Sequence, residues 1–299
     1  MNDKPKIITI VGPTASGKTS LSITLAKHIN GEVISADSRQ VYKDLDIGTG
    51  KVTTQEMDGV PHHLLDVIEP QEIYTGMQFK RDATAAIDDI VNRGRHPIVA
   101  GGTFFYVDLL RGKMQAAPVE PDHSYRESLE RYSNEELLEL LQQQDSRRAN
   151  AVDPHNRRRL VRALEIVHTL GSVPPPVQKE SPYDWLLLGI TTQRDTLREK
   201  FKQRLQQWID QGLLAEVAAV RTELSPERFS ELGFEYTLTS DYIDKKIGTQ
   251  EFFERFMQKN WQYAKQQLTW LQKDPEIIWI DPTDTKTTFS LTDQFLADK

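Results

Sequence analysis

The chain has 299 residues, 38% of them hydrophobic, no cysteine, and a formal net charge of -7 at pH 7. The lack of cysteine excludes disulfides, cysteine zinc sites and thiol nucleophiles. No apolar stretch approaches the roughly 18 residues of a transmembrane helix, and the first residues lack the pattern of a signal peptide, so we expect a cytoplasmic protein that does not enter membranes. The length suits one large α/β domain with an insertion, or two domains.

Six short apolar runs, most of them separated by helical patterns, predict an α/β sheet. The runs are KIITIVG, EVISA, HHLLDVI, HPIVAGG, DWLLLGIT and EIIWID. Helical periodicity follows the first run in TSLSITLAKHI, precedes the fourth in GMQFKRDATAAIDDIVNRG, and returns over 194–223 and 249–272. Strands that alternate with helices are joined by right-handed crossovers. We therefore expect a mainly parallel sheet flanked by helices.

The stretch 122–171 interrupts this alternation, because it is polar, helical in pattern and without a convincing strand. The run SVPPPV that follows it contains consecutive prolines, which stop a helix and favour an extended chain. The sequence therefore predicts a catalytic core formed by 1–121 and 172–299, with an all-helical insertion domain at 122–171.

One segment is basic within this acidic chain. Residues 145–162 contain six arginines against two aspartates, a local charge of +4. The arginines are Arg147, Arg148, Arg157, Arg158, Arg159 and Arg162. Clustered arginines indicate nucleic-acid binding, because phosphate contacts dominate that affinity. A solvated helix face with local salt bridges is an equally good explanation of the cluster.

Residues 12–19 read GPTASGKT and match the P-loop pattern between a predicted strand and a predicted helix. In this pattern glycines let backbone N–H groups turn inward, and the helix N-terminus adds partial positive charge. We therefore predict a diphosphate site, with the threonine as a Mg²⁺ ligand. Its residues are Gly12, Pro13, Thr14, Ala15, Ser16, Gly17, Lys18 and Thr19. A P-loop alone does not distinguish NTPases, kinases and transferases that release diphosphate.

Asp37 and Asp66 are candidates for a second acidic residue near the phosphates, although neither forms a convincing Walker B motif. Asp37 follows the second strand, at the edge where open α/β sheets bind ligands. Capping of a following helix is the alternative role for this aspartate. Gly101, Gly102 and Thr103 follow another strand, and such small residues allow a substrate to approach the backbone closely.

Eight motifs, in their order and approximate spacing, resemble the bacterial tRNA dimethylallyltransferase family over nearly the whole chain. They are G-P-T-A-S-G-K-T, I-S-A-D-S-R-Q-V-Y, D-I-G-T-G-K, V-P-H-H-L-L-D, F-K-R-D-A, G-G-T-x-x-Y, N-R-R-R-L-V-R-A-L-E and Y-A-K-x-Q-L-T-W. The most specific are D-S-R-Q-V-Y after the P-loop and A-K-x-Q-x-T-W near the end. Members of that family transfer a dimethylallyl group from dimethylallyl diphosphate to N6 of the adenine immediately 3′ of the tRNA anticodon, releasing diphosphate.

The resemblance implies a P-loop NTPase-like core and a role for each matching residue. Lys18, Thr19 and Arg204 would act on the diphosphate together with Mg²⁺, and Asp37 would be the base at the adenine amino group. The positions that match tRNA contacts are Asp37, Ser38, Arg39, Gln40, Thr103, Arg126, Arg158, Arg159 and Arg162. The expected partners are tRNA and dimethylallyl diphosphate, and we expect a monomer whose insertion contacts the anticodon arm.

Three positions depart from the family pattern. Gln266 and Gln272 stand where arginines are expected, and Lys200 keeps the positive charge of an expected arginine but lacks its bidentate fork. Three other functions remain open at this stage. They are an adenylate isopentenyltransferase acting on a free nucleotide, a P-loop nucleotide kinase, and a non-catalytic RNA-binding relative.

Overall fold

The computed structural model describes residues 4–115, 117–175 and 180–298. The strands in these residues are β1 (Lys6–Val11), β2 (Gly31–Ser35), β3 (His62–His63), β4 (His96–Gly101), β5 (Asp184–Ile190) and β6 (Ile277–Ile280). They form one sheet with the order β3-β2-β4-β1-β5-β6. Every pair of neighbouring strands is parallel. The α/β class with a mainly parallel sheet is therefore confirmed.

The third strand is shorter than the run HHLLDVI predicts. Only His62 and His63 pair with β2. Leu64 and Asp66 follow with φ of 63° and 54°. Such left-handed conformations are incompatible with an extended strand, and they turn the chain away from the sheet.

The helices come in the following order along the described residues. They are α1 (Lys18–Ile29), α2 (Thr54–Met57), α3 (Gly76–Asn92), α4 (Phe104–Leu110), α5 (His123–Leu129), α6 (Asn134–Gln144), α7 (Ser146–Ala149), α8 (Arg157–Leu170), α9 (Arg194–Gln211), α10 (Leu213–Glu223), α11 (Pro226–Glu231), α12 (Phe234–Ile243), α13 (Thr249–Leu271) and α14 (Thr285–Ala297). None of them is long and apolar enough to cross a membrane.

The helical pattern over 194–223 is divided into α9 and α10. Gly212 lies between them with φ of 106°, a conformation that glycine adopts without the penalty of a Cβ. Five helices were not predicted, namely α2, α4, α11, α12 and α14.

The chain forms two compact units. The first contains Met1–Arg111 and Glu180–Lys299, and the second contains Gly112–Lys179. In the first unit, the core lies between the sheet and helices that include α1, with Ile8, Ile10 and Leu25 completely or almost completely buried. Full burial of such a side chain contributes roughly 1.5–3 kcal/mol. This core holds the strands whose ends form the site described below.

The second unit is helical and has a core of its own. Leu137, Leu141 and Leu160 pack together from α6 and α8, each at 0% exposure. The unit extends beyond the predicted insertion 122–171 on both sides. The last two residues of the SVPPPV run, 176 and 177, lie outside the described residues.

Candidate active site

The carboxyl ends of three neighbouring strands bring the candidate residues together at one edge of the sheet. Val11 is in register with Gly101, and Ser35 with Ala100, so the chain leaves β1, β2 and β4 side by side. Open parallel sheets bind their ligands at this edge. The segments that leave it are 12–19, 37–40 and 102–103.

The P-loop is closed by its own lysine. Lys18 Nζ donates hydrogen bonds to the carbonyl oxygens of Gly12 at 3.0 Å and Pro13 at 2.8 Å. Gly17 precedes α1 with φ of 102°, where glycine is unstrained. The Ser16 hydroxyl is buried and has no hydrogen-bond partner among the described residues. A bound phosphate oxygen would satisfy that hydroxyl.

Burial and two neighbouring charges set the pKa of the Lys18 amine. Burial lowers the pKa of its amine to about 8, the Asp37 carboxylate opposes this shift, and the Arg204 guanidinium adds to it. Lys18 is therefore still mainly protonated at neutral pH. A bound diphosphate would favour the charged form further, because an anion within a few ångströms raises the pKa of an amine.

Arg204 reaches the P-loop from α9. Its Nη1 donates a hydrogen bond of 2.9 Å to Thr14 Oγ1. Burial lowers the pKa of its guanidinium, and the nearby carboxylates of Glu235 and Asp37 oppose that shift. Arg204 and Lys18 thus place two cations beside the N-terminus of α1, which is the arrangement expected for binding a diphosphate.

Asp37 lies on the segment that follows β2, and its carboxylate is fixed by a local turn. Its Oδ1 accepts a hydrogen bond of 2.9 Å from the backbone N–H of Arg39. The next residue, Ser38, donates its backbone N–H to Thr103 Oγ1 at 3.0 Å. The predicted residues after β2 and β4 are therefore joined directly.

The alternative role of Asp37 as a helix cap is wrong. The next described helix, α2, begins only at Thr54 and is capped by Thr53. The neighbouring Gln40 links β2 to the following loop instead. It accepts a hydrogen bond from Ser35 Oγ and donates one to the Gly50 carbonyl, each 3.1 Å long.

Gln267 in α13 connects two parts of the site, and sequence analysis assigned it no role. Its Oε1 accepts the backbone N–H of Thr14 at 3.0 Å, and its Nε2 donates to the Gly102 carbonyl at 2.9 Å. A Cβ on Gly102 would lie 2.6 Å from this Nε2, which explains the glycine there. One glutamine therefore fixes the P-loop to the segment after β4.

Glu235 is a second carboxyl group near Asp37, and no sequence pattern marks it. A Cβ placed on Gly233 would lie 2.8 Å from Glu235 Oε2 and 3.8 Å from Arg39 Nε, so both side chains border the same space. Burial raises the pKa of Glu235 to about 7, the Arg39 guanidinium opposes this shift, and the Asp37 carboxylate adds to it. Glu235 therefore changes charge close to neutral pH.

The loop 46–50 is held by Glu216 of α10. The Glu216 carboxylate accepts the backbone N–H groups of Asp46 at 3.0 Å, Ile47 at 2.7 Å and Gly48 at 2.9 Å. The Tyr236 hydroxyl donates a further hydrogen bond of 2.8 Å to the same carboxylate. This anchoring places one wall of the cleft next to the P-loop.

A cleft of about 940 Å³ runs along these groups. The P-loop forms one part of its lining, the loop 46–53 another, and one face of α9 a third. Asp37 and Arg204 both border it, as does Lys200, the lysine that departs from the family pattern. The other two departures, Gln266 and Gln272, are exposed on and after α13.

The residues present fit a Mg²⁺ ion that is bound mainly through phosphate oxygens. The described residues contain no cluster of three or more His, Cys, Asp or Glu side chains that could hold a metal. Thr19 is exposed at the first turn of α1 and lines the cleft, so its hydroxyl is available as a ligand. Mg²⁺ in phosphate sites typically takes only one or two protein ligands and keeps several waters.

In the helical unit, several of the predicted arginines are engaged internally. Glu165 is 1% exposed and accepts two hydrogen bonds from Arg126, of 2.8 and 3.0 Å, and one from Arg162. Burial acts to raise the pKa of Glu165, but the hydrogen bonds from these arginines prevail and lower it. Arg157 donates to the Tyr132 carbonyl at 2.7 Å. These contacts stabilise the unit itself.

Arg158 and Arg159, called the exposed arginine pair below, behave differently. Both are exposed on the first turn of α8, and among the described residues their side chains form no hydrogen bond or ion pair. Cations at a helix N-terminus are disfavoured by the helix dipole, so the pair does not stabilise α8. The pair is therefore free to bind an anion.

Comparisons with known proteins identify the family. A sequence profile described as IPP transferase matches residues 40–274. The chain belongs to the IPP transferase family. The resemblance inferred from the motifs is confirmed.

Relatives and solved structures agree with this assignment. The chain is 40% identical to the tRNA dimethylallyltransferase of Anoxybacillus flavithermus, covering 93% of this chain and 91% of the relative. It is 37% identical to that of Bacillus subtilis, covering 94% and 92%. The crystal structure of the tRNA isopentenylpyrophosphate transferase from Bacillus halodurans has a TM-score of 0.72 at 36% identity, covering 98% of this chain and 96% of that one.

A structure of a eukaryotic dimethylallyltransferase acting on tRNA is similar as well. It has a TM-score of 0.80 at 29% identity and covers 97% of this chain and 77% of that one. These comparisons confirm the fold and the family. The roles of individual residues remain predictions, and the structure adds Gln267 and Glu235 to the residues around the site.

Proposed function

We propose that this protein transfers the dimethylallyl group of dimethylallyl diphosphate to N6 of the adenine immediately 3′ of the anticodon in tRNA, releasing diphosphate. One observation carries the proposal. Asp37, a carboxylate, and Arg204, a cation bonded to the P-loop, border the same cleft in a member of a family whose relatives are tRNA dimethylallyltransferases. A base and a leaving-group site are the two elements that this reaction needs.

The P-loop side would stabilise the leaving group. As the bond between the allylic carbon and the diphosphate oxygen breaks, its electron pair stays on the diphosphate, so negative charge grows there. Lys18, Arg204 and the backbone N–H groups of the loop face that charge in a buried setting, where fixed donors act most strongly. Mg²⁺, held by Thr19 and phosphate oxygens, would neutralise part of the same charge.

The Asp37 side would activate the nucleophile. The adenine amino group is a weak nucleophile because its lone pair is delocalised into the ring. As N6 forms its bond to the allylic carbon it loses a proton, and the Asp37 carboxylate would accept it. The hydrogen bond from the Arg39 N–H occupies Oδ1, and Oδ2 would be the oxygen that faces the amine.

The tRNA would present its adenine out of the stack, since an amine inside stacked bases cannot reach a half-buried carboxylate within the cleft. We assign contacts with the tRNA to Ser38, Arg39, Gln40 and Thr103 beside Asp37. We assign phosphate contacts on the anticodon arm to the exposed arginine pair. We expect such an enzyme to act as a monomer in the cytoplasm.

The other functions are less well supported. An adenylate isopentenyltransferase acts on a free nucleotide and has no use for the exposed arginine pair, and the relatives are named for tRNA. A nucleotide kinase is less well supported, because the relatives are named tRNA dimethylallyltransferases.

Mass spectrometry of nucleosides tests the proposal. Purified protein, unmodified tRNA, Mg²⁺ and dimethylallyl diphosphate should yield N6-dimethylallyl adenosine at the position 3′ of the anticodon and one diphosphate per product. Replacing tRNA with AMP should yield no prenylated product. Prenylation of AMP alone would favour the free-nucleotide reaction, and rapid ATP turnover without tRNA would favour the kinase.

A further inference from the structure

Trp208 is the largest apolar side chain in the lining of the cleft. It lies on α9, one turn after Arg204 and two turns after Lys200, so all three residues face the same side. Its side chain is buried, with 8% of the residue exposed. The chemistry proposed above uses Arg204 from this face of α9 but gives the indole no role.

The indole is separated from the P-loop by a single guanidinium group. Arg204 Nη1 is bonded to Thr14 Oγ1 at 2.9 Å, and Arg204 Cζ lies 5.5 Å from the centre of the Trp208 ring. A diphosphate in the P-loop would therefore have Arg204 beside it and Trp208 immediately beyond. A hydrocarbon chain attached to that diphosphate would meet the indole if it extends along α9.

Contacts around the indole leave it little room to move. A Cβ on Gly50 would lie only 3.2 Å from Trp208 Cζ2, so this part of the loop 46–50 lies directly against the ring. Gly50 has φ of 61°, and its carbonyl is fixed by Gln40. On another side the ring of Phe256 stands edge-on at 6.0 Å between centres. The indole is therefore a rigid wall.

We propose that Trp208 is the residue that limits the prenyl chain of the donor to five carbons. The inference rests on the proposed function, since it assumes an allylic diphosphate in the P-loop. A dimethylallyl group would end against the indole, whereas the next isoprene unit would need the volume that the ring fills. Protein interiors are packed too densely to yield that volume by small adjustments.

The test compares two donors in the full-length enzyme with tRNA as acceptor. They are dimethylallyl diphosphate and its ten-carbon homologue, geranyl diphosphate. Product masses identify the chain transferred, and kcat/KM is measured for each donor. In Trp208→Ala the ratio of ten-carbon to five-carbon kcat/KM should rise by roughly tenfold or more, since excluding even one methylene commonly gives that discrimination.

Trp261 provides a matched control. It also carries an arginine over its ring, with Arg194 Cζ at 4.7 Å from the centre, but it does not line the cleft. Trp261→Ala should leave the donor ratio unchanged. Trp208→Leu is an intermediate variant for the case in which the alanine variant does not fold, and its ratio should rise less. The affinity for inorganic diphosphate should be unaltered in the folded Trp208 variants.

The possible results distinguish failure of the inference about Trp208 from failure of the proposed function. A folded Trp208 variant that keeps the wild-type donor ratio would overturn the inference and place the chain elsewhere in the cleft, towards Ile23 and Val33. Equal changes in Trp208→Ala and Trp261→Ala would also overturn it, because they would reflect general loosening. A wild-type enzyme that transfers neither group to tRNA would instead contradict the proposed function.

Discussion

Replacing Asp37 with asparagine should slow prenyl transfer without disturbing the fold. Asparagine retains an oxygen that can accept the Arg39 N–H now bound at 2.9 Å, so the turn should persist. The variant has no proton acceptor at this position. General base catalysis is typically worth about 10² to 10⁴ in rate, which corresponds to roughly 2.7–5.4 kcal/mol in the barrier. Single-turnover transfer, with enzyme in excess over tRNA, measures this step directly.

The assay must separate the loss of a base from the loss of a charge. The Asp37 carboxylate raises the pKa of Lys18, so its removal would weaken diphosphate binding near pH 8. Measurements well below that pH avoid the effect. Asp58→Asn is a matched control, because Asp58 lines the same cleft and should not act as the base. A folded Asp37→Asn protein with near-normal single-turnover transfer would refute the assigned role.

Three further predictions concern binding. Because Lys18 loses its charge as the pH rises through about 8, the affinity for inorganic diphosphate, measured by calorimetry, should fall across that range. The Lys18→Arg variant should show a weaker dependence of this affinity on pH. Equal pH dependence in the two proteins would contradict the role of this titration. Gln267→Ala removes two hydrogen bonds and should lower the free energy of unfolding by about 2 kcal/mol. It should also weaken diphosphate binding. Replacement of the exposed neighbour, Gln266→Ala, should change neither the stability nor the affinity for diphosphate. Replacing the exposed arginine pair with alanine should weaken tRNA binding and leave the melting temperature little changed. The slope of log affinity against log salt concentration should fall by about one for each phosphate that the protein no longer neutralises. An unchanged slope would assign the pair no role in binding tRNA.

The sheet was predictable because its signals are local. Each central strand is a short apolar run, and the helical periodicity between the runs implies parallel pairing. The P-loop was predictable for the same reason, since its function resides in eight consecutive residues. The shortened third strand was not predicted, because its end depends on the left-handed conformations of Leu64 and Asp66, neither of which is a glycine.

The contacts that complete the site were harder to predict because they join distant parts of the chain. Gln267 binds Thr14 across 253 residues, and its significance appears only when α13 lies against the P-loop. Glu235 belongs to a helix that sequence analysis missed. Similarly, the basic segment was visible as a composition, but only the structure separates arginines held by Glu165 from the exposed arginine pair.

The Glu216 carboxylate occupies backbone N–H groups that could otherwise bind a different anion. Three successive backbone N–H groups that converge on one point form a receptor for any small anion, whether phosphate or carboxylate. In the loop 46–48 that receptor is already filled by a side chain of the same protein. These three N–H groups are therefore not available to an incoming anion.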